Sequence, residues 1–186
     1  MSFIKICSVA AIVLAGSISF AAAREATEAE MKMLGEAVQV YKTATEKGDV
    51  DGVLAKAMSA RMFTETAAFS KTFGEEATVE DLRAQTRDVL VQMSKHIVIS
   101  DVDIVLEKAQ ARELDDGTPY FIMPYAYTVK SGTQKKRISQ DMIAVLDDGQ
   151  WYLITVSNPR QKAVLGKAYP GLDKLGIKKP LVTPAD

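Results

Sequence analysis

TPYFIMPYAYTVKSGTQKKRISQDMIAVLDDGQWYLITV, residues 118–156, changes character only around its glycines. Ser131-Gly132 and Asp147-Asp148-Gly149 interrupt it, and Asp115-Asp116-Gly117 stands just before it. Gly and Asp tolerate the positive backbone angles of tight hairpins, so each cluster reads as a chain reversal. Between the reversals the side chains follow a period of two. The pattern predicts four strands, near 99–113, 118–130, 134–146 and 150–157, joined as an antiparallel meander. Pro124 falls inside the second strand and has no N–H for a ladder, which predicts a bulge or sharp bend there.

Both faces of this sheet are apolar. Phe121, Met123, Tyr125 and Tyr127 point one way, and Tyr120, Ile122 and Ala126 the other. Trp151 and Leu153 likewise oppose Tyr152, Ile154 and Val156. An antiparallel sheet with water on one side alternates cleanly between apolar and polar. Here one face is expected to hold helices, and the other needs a cover: a second copy of the chain or the C-terminal segment.

Upstream of the strands the period lengthens to that of helices. Residues 27–47 carry Met31, Leu34, Ala37, Val38, Tyr41 and Ala44 at intervals of three and four, with Thr27 and Glu30 at capping-box spacing and Gly48 as the stop. Asp49 or Asp51 opens a short second helix through Val53, Leu54 and Ala57. Residues 61–76 fit either a short strand or a helical turn. Thr78 opens a third helix with Asp81 three residues on and a stripe of Leu82, Val89, Leu90 and Met93, ending near Lys95-His96. Downstream of the sheet, Asn158-Pro159 starts a short helix to about Ala168. The tail from Pro170 to Asp186 reads as extended and partly mobile.

The first 23 residues have the three parts of a secretory signal: Lys5, an apolar run over Ile6–Gly16, and Ala21-Ala22-Ala23 before the cut. The run is shorter than the roughly 20 residues of a spanning helix. Ser17 stands where a lipidated cysteine would be, so no membrane anchor is expected after cleavage. Cleavage leaves 163 of the 186 residues, enough for one domain with its own core. Residues 24–158 are read as that domain, and 159–186 as a C-terminal helix and tail. The single cysteine, Cys7, leaves with the signal. That excludes disulfides, Cys-ligated zinc and thiolate chemistry, and it fits a bacterial periplasm or secretion.

Charge and motifs exclude more. The chain has 23 basic and 24 acidic residues, too even a balance to draw in nucleic acid. Lys135-Lys136-Arg137 reads as a solvated hairpin flank. His96 is the only histidine, so a Ser-His-Asp triad would have to use it, and no Gly-x-Ser-x-Gly elbow exists. No phosphate loop is present, and the acidic turns lack the ligand count of calcium loops. No metal and no cofactor are expected. Seven methionines, from Met31 to Met142, suit either core filling or an adaptable apolar pocket.

The expected class is α+β, with three N-terminal helices on a curved four-stranded meander, then a short helix and tail. Val38-Gln39-Val40-Tyr41, the run Gly48-Asp49-Val50-Asp51-Gly52 and the last strand Gly149-Gln150-Trp151-Tyr152-Leu153 resemble the nuclear transport factor 2-like superfamily, whose domains are cones. The likeness spans roughly residues 28–157 and implies a fold, not an activity. Aligned on the first helix, the chain is similar to ketosteroid isomerase at Tyr41, Glu65 and Asp141, which implies oxyanion donors at Tyr41 and Asp141 and a base at Glu65. Glu65 departs from the family's aspartate by one methylene. For a binding cone, the candidate lining is Tyr41, Met62, Phe63, Met93, Tyr125, Tyr127 and Ile143. The preferred reading is an exported, non-enzymatic domain that holds a small apolar molecule or self-associates as a homodimer through the sheet. The alternatives are the proton-transfer enzyme and an interaction module using the outer sheet face.

Overall fold

The computed structural model describes residues 25–185, so the signal-like segment lies outside it. Four helices precede the sheet: α1 (Glu28–Lys47), α2 (Val50–Ala57), α3 (Ala60–Lys71) and α4 (Val79–Ser94). The strands are β1 (Val98–Ile104), β2 (Gln110–Glu113), β3 (Pro119–Ser131), β4 (Gln134–Asp147) and β5 (Gln150–Ile154), then α5 (Pro159–Ala168) and β6 (Leu181–Pro184). The architecture is α+β, with an antiparallel sheet curled into a half-barrel. Long β3 and β4 form its centre. β1 and β2 follow each other along the free edge of β3, while β5 and β6 share the free edge of β4.

The caps of α1 form as its sequence predicts. Glu30 N donates to Thr27 Oγ1 at 3.2 Å, and Thr27 N donates to Glu30 Oε2 at 2.9 Å. Gly48 closes the helix at φ 66°, where a side chain would be strained. Asp49 Oδ1 then accepts from Gly52 N at 3.0 Å, capping α2. A Cβ at position 52 would lie 2.5 Å from Asp49 Oδ2 and 3.0 Å from Ala44 Cβ. The Gly-Asp-x-Asp-Gly run therefore folds α2 tightly back onto α1.

The ambiguous stretch after residue 60 is a helix, so four helices precede the sheet and not three. Thr64 and Thr66 lend it a strand-like look. In the helix their hydroxyls donate one turn back, Thr64 Oγ1 to Ala60 O at 3.0 Å and Thr66 Oγ1 to Met62 O at 2.7 Å. Met62, Phe63, Ala67 and Ser70 form the buried stripe.

The expected first strand is two strands, β1 and β2, separated by a 3-10 turn at Leu106–Lys108. Pro124 causes no bulge in β3: pairing with β4 runs unbroken from Tyr120↔Val145 to Ser131↔Gln134. Its carbonyl accepts from Val105 N at 3.1 Å. In an antiparallel strand the N–H would point the same way, so the missing donor falls at the break between β1 and β2. The irregularity lies in β1 instead, between Ser100 and Asp103, where Asp101 has φ 52°. Both loose backbone groups are served. Val102 N donates to Glu46 Oε1 at 3.1 Å, and Arg137 Nη1 donates to Asp101 O at 2.6 Å.

The two-faced sheet supports two cores. Leu34, Ala37, Val38 and Tyr41 of α1 pack on Phe121, Met123, Tyr125, Met142, Ala144, Trp151 and Leu153 inside the curl. On the outer face, Tyr120, Ile143, Val145 and Ile154 pack on Val164, Leu165 and Ala168 of α5, on Tyr169 and Leu172 beyond it, and on Met62 of α3. Of the two covers expected, the chain's own C-terminal segment occupies this face. Its tail is tied down: Leu172 is fully buried, and Leu181–Pro184 pairs with Lys136–Ser139 of β4.

Candidate functional site

The inner core stops short of the half-barrel's end. A cavity of ≈ 360 Å³ remains, framed by the C-terminal turns of α1 and α4, the start of α2 and the entry to β1. The Gly-Asp-x-Asp-Gly turn builds one rim, since Gly48 and Val50 line it. The walls are mostly aliphatic, including Val53, Leu90, Met93, Ile97 and Ile99. Lys47, Gly48, Ser94 and Val98 are exposed and mark the mouth.

The floor is aromatic and polar. Tyr41 meets Tyr125 edge-on with ring centres 6.3 Å apart, and Tyr125 stacks on Tyr127 at 4.9 Å. Burial pushes the Tyr41 phenol above the ordinary tyrosine value, with the nearby Tyr125 hydroxyl drawing it partly back. Burial pushes Tyr125 further up, and Tyr41 adds to the effect; Tyr127 is raised for the same two reasons. All three phenols therefore stay neutral well past physiological pH. Thr45 and Gln140 complete the floor, each 7% exposed. Thr45 sits close enough to Tyr41 to perturb its phenol slightly, yet its Oγ1 makes no hydrogen bond of good geometry. Gln140 Oε1 is likewise buried without a partner.

The sequence-derived residues divide between the two faces of the sheet. Tyr41, Met93, Tyr125 and Tyr127 do line this cavity. Met62 and Ile143 belong to the outer core, and Phe63 is buried on α3 with the Arg83 guanidinium 4.4 Å above its ring. The oxyanion arrangement of Tyr41, Glu65 and Asp141 does not form. Asp141 has the parity of Ile143 and Val145, but that is the outer face, where its Oδ2 accepts from Lys178 N at 3.0 Å. Glu65 is half-buried on α3 and outside the cavity lining. His96 is exposed just past α4.

The sequence reading missed most of the wall, and among the residues missed are the two buried polar ones of the floor, Thr45 and Gln140, though a signal was there. Thr45 follows Tyr41 by one helical turn on the apolar stripe of α1. Gln140 falls in step with Met142 and Ala144 on the inward face of β4. A polar residue at an apolar phase is the mark to seek.

Among the described residues, no group of three His, Cys, Asp or Glu side chains is placed to hold a metal ion. No described helix is long and apolar enough to cross a membrane. No protein-family model matches this chain, and neither a curated protein nor a solved structure matches it significantly.

Proposed function

We propose that this protein is an exported, non-enzymatic domain of the cone-shaped nuclear transport factor 2-like kind, and that its cone holds a small apolar molecule. The observation that carries this reading is the cavity at the open end of the half-barrel. At ≈ 360 Å³ it falls within the range of small-molecule pockets, about 300–1,000 Å³. Its walls are aliphatic and aromatic, with only a few polar atoms on the floor, the usual composition of such sites. The N-terminal signal pattern supports export, and the four-helix, curled-sheet order supports the cone. The outer sheet face already has the chain's own α5 as its cover, which weakens the case for an interaction module there.

The test uses N-phenyl-1-naphthylamine, a neutral apolar fluorophore, with the mature chain. Saturable one-to-one binding with a blue shift is expected, and Leu90→Trp, which fills the cavity from its wall, should abolish it. Absence of saturable binding, or equal binding by the Leu90→Trp variant, would remove this reading.

A further inference from the structure

We infer that β6 is a blocked edge: it closes the margin of β4 within its own chain, and Pro180 and Pro184 stop a second copy of the chain from adding a strand to it. The inference is independent of what the cavity holds.

An edge strand presents unpaired N–H and C=O groups, a template for another chain. Along β1 that margin is covered. Helix α1 packs against the strand, and Glu46 Oε1 accepts from Val102 N at the irregularity. Strand β6 has no such cover: its principal neighbour is β4, and all four of its residues are exposed. Leu181 is 63% exposed and Val182 52%. Leu181-Val182-Thr183 is apolar and β-branched, a composition that suits strand pairing. Composition and exposure alone would make this the place where the sheet grows.

The direction of each amide decides otherwise. Ala185 N donates to Lys135 O at 3.2 Å. In the same register Thr183 stands opposite Arg137 and Leu181 opposite Ser139. Residues of an antiparallel ladder alternate between facing the partner and facing away. Positions 181, 183 and 185 therefore turn their amides to β4. Positions 182 and 184, and 180 just before the strand, turn theirs to the free side. Pro180 and Pro184 have no N–H, and each carries a ring carbon in its place. Val182 is left as the one donor among these outward positions. Pro184 costs the ladder to β4 nothing, since it lies opposite Lys136 where no bond is made.

Two copies joined antiparallel through β6 and centred on Val182 would set each Pro180 against Pro184 of the other copy. Only the Val182 pair would keep its backbone bonds. The carbonyls at positions 180 and 184 would lose water and gain no donor, which is costly.

The double substitution Pro180→Thr/Pro184→Thr restores both donors in a residue that favours strands. Mass by sedimentation and amide exchange at Val182 by NMR are followed together, from micromolar to millimolar mature chain. In the unsubstituted chain the Val182 amide should exchange fast at every concentration. In the variant, mass should rise toward the dimer, and exchange at Val182 should slow about tenfold or more as concentration increases. Pro184→Thr alone gives the same comparison, with a smaller rise, if the double variant folds poorly. Concentration-dependent protection of Val182 in the unsubstituted chain would show that the edge pairs despite its prolines, and would overturn the inference. A variant that keeps the mass and the Val182 exchange of the unsubstituted chain overturns it too, because something other than the missing donors then keeps a second strand away. Association of the variant with no slowing at Val182 places the contact elsewhere and has the same consequence.

Discussion

Helices α4 and α5 begin alike and end in different situations. Each starts on a side-chain cap: Thr78 Oγ1 accepts from Asp81 N, and Asn158 Oδ1 accepts from Gln161 N. Each has an apolar stripe. The ten residues of α5 bury Val164, Leu165 and Ala168 on the outer sheet face, and Tyr169 just beyond is fully buried. The sixteen residues of α4 bury none. Val89, read from its spacing as core, is 57% exposed. What holds α4 is polar and peripheral: Arg87 grips Asp51 of α2 through Nε at 2.7 Å and Nη2 at 3.1 Å, and Arg83 lies over Phe63. The α5 stripe meets side chains, whereas Leu90 and Met93 near the end of α4 meet a cavity. Amphipathic spacing says which face turns inward, but not whether anything fills the space behind it.

The largest expected difference comes from making the same deletion on both sides. Leu165→Ala removes a fully buried side chain from a closed core and should cost about 2–5 kcal/mol. Leu90→Ala, at a half-buried cavity wall, should cost about 1 kcal/mol or less. Urea titration of both variants decides it, and equal losses would erase the contrast between a closed face and an open one.

Alkaline titration probes the cavity floor. Tyr41, Tyr125 and Tyr127 hold their protons more tightly in the folded chain than in the unfolded one. Above the ordinary tyrosine value of about 10, the unfolded chain has released protons that the folded chain keeps. It then binds fewer protons, so stability falls with rising pH; below that value the contribution is fully present. The urea midpoint should drop between pH 9 and 11, and Tyr125→Phe should flatten the drop. A slope that the substitution leaves untouched would mean the floor ionises freely and lies open to water.

The smallest effect on stability is expected at the α4 latch. Asp51 and Arg87 are both largely exposed, so Asp51→Asn should leave the unfolding midpoint nearly unchanged. Entry of the naphthylamine probe, followed by stopped flow, should nevertheless quicken, and high salt should have the same effect on the unsubstituted chain. The guanidinium of Arg87 holds the Asp51 carboxyl below its ordinary range, so the latch is present above about pH 4 and is lost as pH falls through the lowered value. Equal entry rates with and without the carboxylate would show that α4 does not control access.

Local signals were legible wherever they are complete within a few residues. The capping box of α1, the left-handed Gly48 and the Asp148-Gly149 turn, with φ 52° and 71°, all depend on neighbours within four positions. The alternation of Phe121, Met123 and Tyr125 against Tyr120 and Ile122 showed both faces of β3 to be buried. Residues 61–76 resisted for an equally local reason: threonines favour strands unless a helical carbonyl one turn back accepts their hydroxyl, and that carbonyl exists only once the helix has formed.

The amino-acid sequence by itself determined the α+β class, the hairpin positions, the order of the long strands and the need to cover two sheet faces, because spacing and turn chemistry are properties of neighbouring residues. Only the tertiary structure decided that α5 covers the outer face, that Asp141 points outward to Lys178 while Tyr41 points inward, and that Thr45 and Gln140 share the floor of one cavity. Those facts depend on how the sheet curls and on which side each helix docks. Curl and docking come from contacts between residues far apart in the chain, and no short window of sequence contains both partners.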